Sequence, residues 1–337
     1  MEFVEGYDHQ SGTHCGAAAL RNVTAYYDWT FSEAACFGIG GGTAFVRYDL
    51  PDSVTAFRAS PLWLERAFFE RLGVQHRFQE GDDAETAWEN VTGHVDDDDP
   101  VVLFLDPAEL AYLPEDPPHL PPHVAVLVGY DDETVQLSDG AVSGRTEIDR
   151  STLAAAWTSE GPVGLDREYL VVTRARTTTE RHDAAAAGLR QAATYMLDPL
   201  QIKRDARGPG QEGIPALRSF AEYVGTLPDR RDTAGAVRTV LRSIDEHGDR
   251  AAYRGLFADS LAELGQGTGL PGDLADRMDD TADRWAGVAD RLSDVLATGR
   301  AEPATVAEAA TALADIADQE ADIYRTLREE LREVDGD

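Results

Sequence analysis

Cys15 stands in THCGAAALRNVTAYYDW, at the head of a stretch that reads as a helix. Ser11 or Thr13 can serve as its N-cap, and Leu20, Val23 and Tyr27 fall on one helical stripe. A cysteine in the first turn faces unpaired backbone N–H groups and the positive end of the helix dipole, which favours thiolate over thiol. Gly16 leaves room for an approaching carbonyl, and the amide of Gln10, a short step upstream, can donate to a developing oxyanion. Taken alone, Cys15 is equally well read as a small buried residue beside an alanine-rich packing face.

The later segment HVAVLVGYDDETVQLSDG separates these readings. An apolar run, a polar turn at Tyr130 to Glu133 and a second run predict an antiparallel hairpin. A turn centred near Asp131 puts His123 opposite Asp139, or one position off, with Cβ atoms about 4.5–5.5 Å apart if directly opposed. The carboxylate would fix the imidazole tautomer and stabilise the imidazolium formed when His123 takes the Cys15 proton. Singly, His123 reads as a solvent-facing residue beside Pro121-Pro122 and Asp139 as a turn residue. The three together predict a cysteine nucleophile, its base and the group that orients the base.

Other candidates carry less chemistry. Gly38 to Gly42 form GIGGG, which lacks the lysine and hydroxyl residue of a phosphate-binding loop. It is read as a turn, with Gly40, Gly41 and Gly42 lining an acyl or pantetheine pocket or else simply making a tight structural bend. His14 is expected to point away from the nucleophile along the helix or to touch substrate. His9, His14 and Cys15 lack a second cluster at zinc spacing, so no metal is expected. Cys36 reads as a small buried residue, Asp131-Asp132 as turn chemistry and Trp157 as a core anchor.

These residues must be positioned by elements that the pattern suggests. PLWLERAFFERLG predicts a helix ended by Gly73, and VQHRFQ a strand after it. PVVLFLD, HVAVLVGY, TVQLSDG and REYLVVTRA are further strands, three of them apolar enough for central places in a sheet. Beyond about residue 180 the chain turns rich in Ala, Leu, Arg, Asp and Glu. Val306, Ala309, Leu313, Ile316, Ile323 and Leu327 recur at helical steps. Pro and Gly cut this part into about five or six helices. The expected division is therefore a first domain over residues 1–176 and a helical domain over 184–337, joined by TTTERHD.

Composition narrows the setting. The 337 residues carry a formal charge of -32 and a single lysine, Lys203. Such a surface repels nucleic acid and anionic lipid, so neither is an expected partner. Arginine with carboxylate excess fits a high-salt, halophilic cytoplasm, where charge repulsion is screened. Two cysteines do not build a disulfide framework, and no run approaches a membrane span or a secretory leader, so a cytoplasmic location is expected. Asp96 to Asp99 read as a solvated loop. Arg204 and Arg207 could grip an acidic carrier protein, although helix-surface solubility explains them as well.

THCGAAALRNVTAYYDWTFSEAACFGIGGGTAF, with the later HVAVLVGYDDETVQLSDG, resembles the N-terminal domain of the butirosin-biosynthesis acyltransferase family, itself similar to papain-like cysteine peptidases. The trailing half resembles the uncharacterised helical domain that often follows it. The resemblance implies an α+β, papain-like fold followed by an all-helical domain. It also implies acyl or aminoacyl transfer from a carrier-protein thioester to a small-molecule amine through Cys15, His123 and Asp139. No cofactor is implied beyond phosphopantetheine on a donor acyl carrier protein. The competing expectations are a peptidase or amidase using water as acceptor, and a non-catalytic scaffold that binds partners through its helical half.

Overall fold

The computed structural model describes residues 2–49, 55–113, 122–160, 164–198, 211–244, 251–299 and 302–331, so Pro121, Lys203, Arg204 and Arg207 lie outside the described residues. The chain is α+β and divides into two compact units, one made of residues 1–40 and 62–184 and the other of 41–61 and 185–337.

The first unit opens with β1 (Glu2–Phe3), α1 (Cys15–Tyr26) and α2 (Glu33–Gly40). After β2 (Val46–Asp49) and β3 (Thr55–Arg58), which belong to the second unit, come α3 (Leu64–Arg71), β4 (Gln75–Gln79), α4 (Ala84–Asp96) and β5 (Val101–Leu105). Next follow β6 (His123–Tyr130), β7 (Thr134–Ser138), β8 (Arg145–Asp149), α5 (Arg150–Ala156), β9 (Thr158–Ser159), β10 (Leu165–Asp166) and β11 (Tyr169–Arg174).

The main sheet runs β4-β11-β5-β6-β7-β8, with β1 added against β6, and its neighbours pair antiparallel. The three strands expected at its centre, β11, β5 and β6, are there: every residue of VVLFL in β5 is buried, as are His123 to Gly129 of β6. Helix α1 packs on β6 and against α2 and α3. Its Ala17, Ala18, Ala19, Leu20 and Val23 are buried, so the alanines bring the helix axis close to the sheet. Helix α3 stops where expected, with Gly73 at φ +63°. β2, β3 and β8 were not anticipated; β8 alternates exposed and half-buried residues at the sheet edge, without an apolar run to announce it.

The second unit holds the β2–β3 hairpin, most of α6 (Arg181–Leu197), then α7 (Gly213–Gly225), α8 (Thr233–Ile244), α9 (Arg254–Leu264), α10 (Leu274–Thr298) and α11 (Pro303–Glu330). The stripe read from Val306 to Leu327 is buried along α11. Residues 41–61 differ from the sequence division, which assigned them to the first domain. Phe57 lies 4.4 Å, centroid to centroid, from Phe220, and Phe45 is 5.3 Å from Phe220 and 5.9 Å from Trp285. This aromatic cluster, closed by the buried Arg254–Glu320 ion pair, holds the hairpin in the helical unit. The polar joint at residues 177–183 is half helical, since α6 begins at Arg181.

Candidate active site

Cys15 is the first residue of α1, and its N-cap is His14 rather than Ser11 or Thr13. His14 Nδ1 accepts the Ala17 N–H at 3.1 Å, and the buried ring stands edge-on to Phe37 at 5.1 Å. That imidazole thus takes part in capping and in core packing. The preceding loop is held by Glu33, whose Oε1 accepts the Thr13 and His14 N–H groups at 2.7 Å each. Glu33 Oε2 pairs with Arg21 Nη1 at 3.2 Å, and Arg21 Nη2 donates to the Gln10 and Ser11 carbonyls. Asn22 Nδ2 donates to the Gln10 carbonyl at 2.9 Å. These contacts fix the backbone leading into Cys15, while the Cys15 N–H has no acceptor among the described residues.

The Gln10 main chain is pinned by those bonds and the residue itself is exposed. Gly16 has a different reason to be glycine from the one expected. A Cβ there would lie 1.7 Å from Glu65 Oε1, so the buried Glu65 carboxylate of α3 occupies the space beside it.

The loop before α1 is also laced to the end of β7. Gly12 N–H donates to the Gly140 carbonyl at 2.9 Å, and His9 Nδ1 lies 2.8 Å from Ser138 Oγ while its Nε2 lies 3.0 Å from the Val142 carbonyl. A carbonyl can only accept, so Nε2 donates to Val142. Asp139 follows Ser138 directly, so these bonds set its distance from the cysteine helix.

His123 Nε2 donates to Asp139 Oδ2 at 2.7 Å, and both residues are buried. The register differs from the expected one: Val126 pairs with Ser138 and Leu127 with Leu137, which carries Asp139 opposite Ala125 rather than His123. The offset comes from the turn, which is centred between Asp132 and Glu133 because Tyr130 pairs with Val135, and the shift in register between Leu127 and Gly129 takes back one position of it. His123 is the diagonal neighbour, within reach because both side chains lie on one face.

Two further donors serve the carboxylate: Tyr112 Oη to Oδ2 at 2.6 Å and Ala141 N–H to Oδ1 at 2.9 Å. Burial alone would raise the Asp139 pKa, yet His123, Tyr112 and Ala141 bring it down to about 2. Burial would likewise push His123 down, but the charge and hydrogen bond of Asp139, with those of Cys15, hold it well above its ordinary value. Cys15 is thus within hydrogen-bonding reach of His123, and Nδ1 is the ring nitrogen left to it. A thiol, an imidazole of raised proton affinity and an ionised carboxylate can together carry an imidazolium beside a thiolate.

The matching families agree with the resemblance. Residues 14–140 match the family model described as butirosin biosynthesis protein H, N-terminal, and residues 151–327 match a domain of unknown function, DUF4872. The chain belongs to this two-domain family. No curated protein matches the chain. The family's first domain spans Cys15, His123 and Asp139, together with Glu33, Glu65 and Tyr112.

The remaining residues singled out in the sequence are placed as follows. Gly40 ends α2 in a buried position where a Cβ would lie 2.4 Å from Leu64 Cγ, so it permits close packing of α2 on α3. Gly38 to Gly40 are helical, and the bend comes at Gly41, with φ +78°. Gly41 and Gly42 are buried in the second unit. Cys36 is fully buried in α2, and Trp157 is buried with its Nε1 donating to the Glu168 carbonyl. Among the described residues no group of three or more His, Cys, Asp or Glu side chains is arranged to hold a metal ion, and no helix is long and apolar enough to cross a membrane.

Sequence reading missed Arg21, Glu33, Glu65 and Tyr112. Arg21 and Glu33 carry a signal, since each is a charge in an otherwise small or apolar helical stretch. Glu65 and Tyr112 carry none.

Proposed function

We propose that the family member described here is a cysteine acyl or aminoacyl transferase on a papain-like first domain, moving an acyl group from a thioester to an amine through an acyl-Cys15 intermediate. His123 Nδ1 takes the Cys15 proton and the thiolate attacks the donor carbonyl. The Cys15 N–H and the Gln10 amide receive the oxyanion. Collapse expels the donor thiol, which takes its proton from His123; the amine then attacks the thioester on Cys15 while His123 accepts the amine proton, and breaking of the acyl–Sγ bond releases the amide and returns the Cys15 thiolate beside the imidazolium. Asp139 stabilises the imidazolium throughout.

Thioester donors suit this path, because exchange of one thioester for another is nearly balanced in energy. The donor class is an acyl group on a carrier-protein phosphopantetheine, and the acceptor a small-molecule amine. The observation that carries the reading is the Cys15–His123–Asp139 arrangement, with Cys15 at the start of a helix and its N–H without an acceptor among the described residues.

The test is incubation of the full chain with an acyl-pantetheine and an amine. Amide should form faster than free acid, and Cys15→Ala should abolish both products. Free acid outpacing amide at saturating amine would make the protein a hydrolase instead. No product, with Cys15 alkylated by iodoacetamide no faster than an ordinary thiol, would leave a partner-binding scaffold.

A further inference from the structure

Tyr112 lies in the stretch after β5, far in sequence from β7, yet its hydroxyl reaches the same carboxylate oxygen that serves His123. Asp139 Oδ2 therefore has two donors, at 2.6 Å from Tyr112 and 2.7 Å from His123, and Oδ1 has the Ala141 N–H. The carboxylate has no solvent exposure, and among the described residues those three are its donors.

We infer that Tyr112 is a positioning residue of the site: its phenol fixes the Asp139 carboxylate against His123 and draws off part of its charge, so that His123 can release a proton as well as hold one. The inference rests on the transferase reading, in which His123 must both accept and return protons. An imidazole facing an unshared carboxylate would keep its proton too firmly to serve the leaving thiol. A second donor on Oδ2 weakens that grip without giving up the orientation.

Burial first, then the negative charges of Asp139 and Cys15, push the ionisation of the phenol far above the ordinary range, so Tyr112 stays a donor at every working pH. The hydroxyl also lowers the proton affinity of Asp139, which keeps the carboxylate ionised beside the imidazolium.

The experiment is an NMR titration of the His123 ring in the full chain, wild type against Tyr112→Phe, with the pH profile of acyl transfer measured alongside. Tyr112→Phe should raise the His123 midpoint by roughly half a unit or more. Turnover should fall about tenfold in kcat with KM little changed, and the alkaline limb of the profile should move to higher pH with the His123 midpoint. A merely structural phenol would, on removal, loosen Asp139 and lower the midpoint. An unchanged or lowered midpoint therefore overturns the inference. If the transferase reading alone fails, transfer is absent in both proteins while the titration shift is still seen. Should Tyr112→Phe not fold, the wild-type chain carries the test: a slowly exchanging Tyr112 hydroxyl proton coupled through space to the His123 Nε2 proton supports the inference, and its absence overturns it.

Discussion

Asp139 lies across from Ala125 when the β6–β7 ladder is continued by one residue, yet its Oδ2 is 2.7 Å from His123 Nε2. The contact is diagonal, and Ala141, Tyr112 and the bonds at Ser138 keep it so. Asp139→Asn keeps the shape and removes the charge that raises the His123 pKa. The imidazolium is then lost at lower pH, so the alkaline limb of transfer should move toward acid by about a unit. The maximal rate should fall about ten- to a hundredfold. An alkaline limb that stays in place would separate Asp139 from the chemistry.

The same pair makes a prediction about stability. His123 has a folded-state pKa above its unfolded value, so its contribution is complete below the ordinary pKa near 6.5 and fades as pH rises through the higher folded value. Asp139 is depressed to about 2, so its contribution is complete above the ordinary value of 3.8 and fades as pH falls toward 2. Urea denaturation should find the largest cost of Asp139→Asn between these ordinary values, from about pH 4 to 6.5. The cost should shrink toward both extremes. A cost that goes on growing as pH rises above 6.5 would contradict the assigned directions.

Glu33 is the structural support of the nucleophile. Its loss leaves the Thr13 and His14 N–H groups without this acceptor and Arg21 without its carboxylate partner. Glu33→Ala should cost about 1.5–3 kcal/mol in chemical denaturation, and should slow Cys15 alkylation because the loop before the helix is released. Glu33→Gln, which keeps an acceptor oxygen, should recover much of both.

Much of this was legible in the sequence where local chemistry acts alone. The apolar runs of β5, β6 and β11 announce central strands because a strand covered on both faces has no polar side to show. Gly73 marks the end of α3 because it holds a positive φ. The three reacting residues were legible as types on suitable elements. Their meeting was legible only roughly, because hairpin register depends on a ladder shift and a turn length that no residue type fixes. The N-cap was misread for a related reason: Ser11 and Thr13 have better side chains for capping, but Glu33 already serves the loop and leaves His14 at the boundary. Tyr112 and Glu65 could not be seen, since their importance lies in what they touch. That residues 41–61 pack with the helical unit could not be read either, because Phe45 and Phe57 look like any core aromatics until their partners are known.

Gly16 tests how tightly the site is built. A methyl group there would overlap Glu65 Oε1, which is itself buried. Gly16→Ala should therefore cost about 1–3 kcal/mol by overpacking, despite the better helix propensity of alanine. Because one atom pair carries the clash, the effects of Gly16→Ala and Glu65→Ala should not add, and the double variant should be more stable than their sum. Simple additivity in thermal denaturation would mean that Glu65 does not fill that space.

The second unit offers a test of its own. Arg254 Nη2 and Glu320 Oε2 are 2.8 Å apart with neither side chain exposed, and Trp285 Nε1 donates to Glu320 Oε1 at 2.9 Å. Arg254 also donates to the Ala252 carbonyl at 2.8 Å and to the Ala44 carbonyl at 3.3 Å. Glu320→Gln leaves an acceptor for Trp285 but strands a guanidinium away from water, and should cost about 3–5 kcal/mol. Replacing both partners together, Arg254→Met with Glu320→Leu, removes the stranded charge and should cost less than Glu320→Gln alone, even though more contacts are lost. A double variant worse than the single one would mean that the ion pair contributes attraction in excess of its desolvation, and that the helical unit depends on it for net stability.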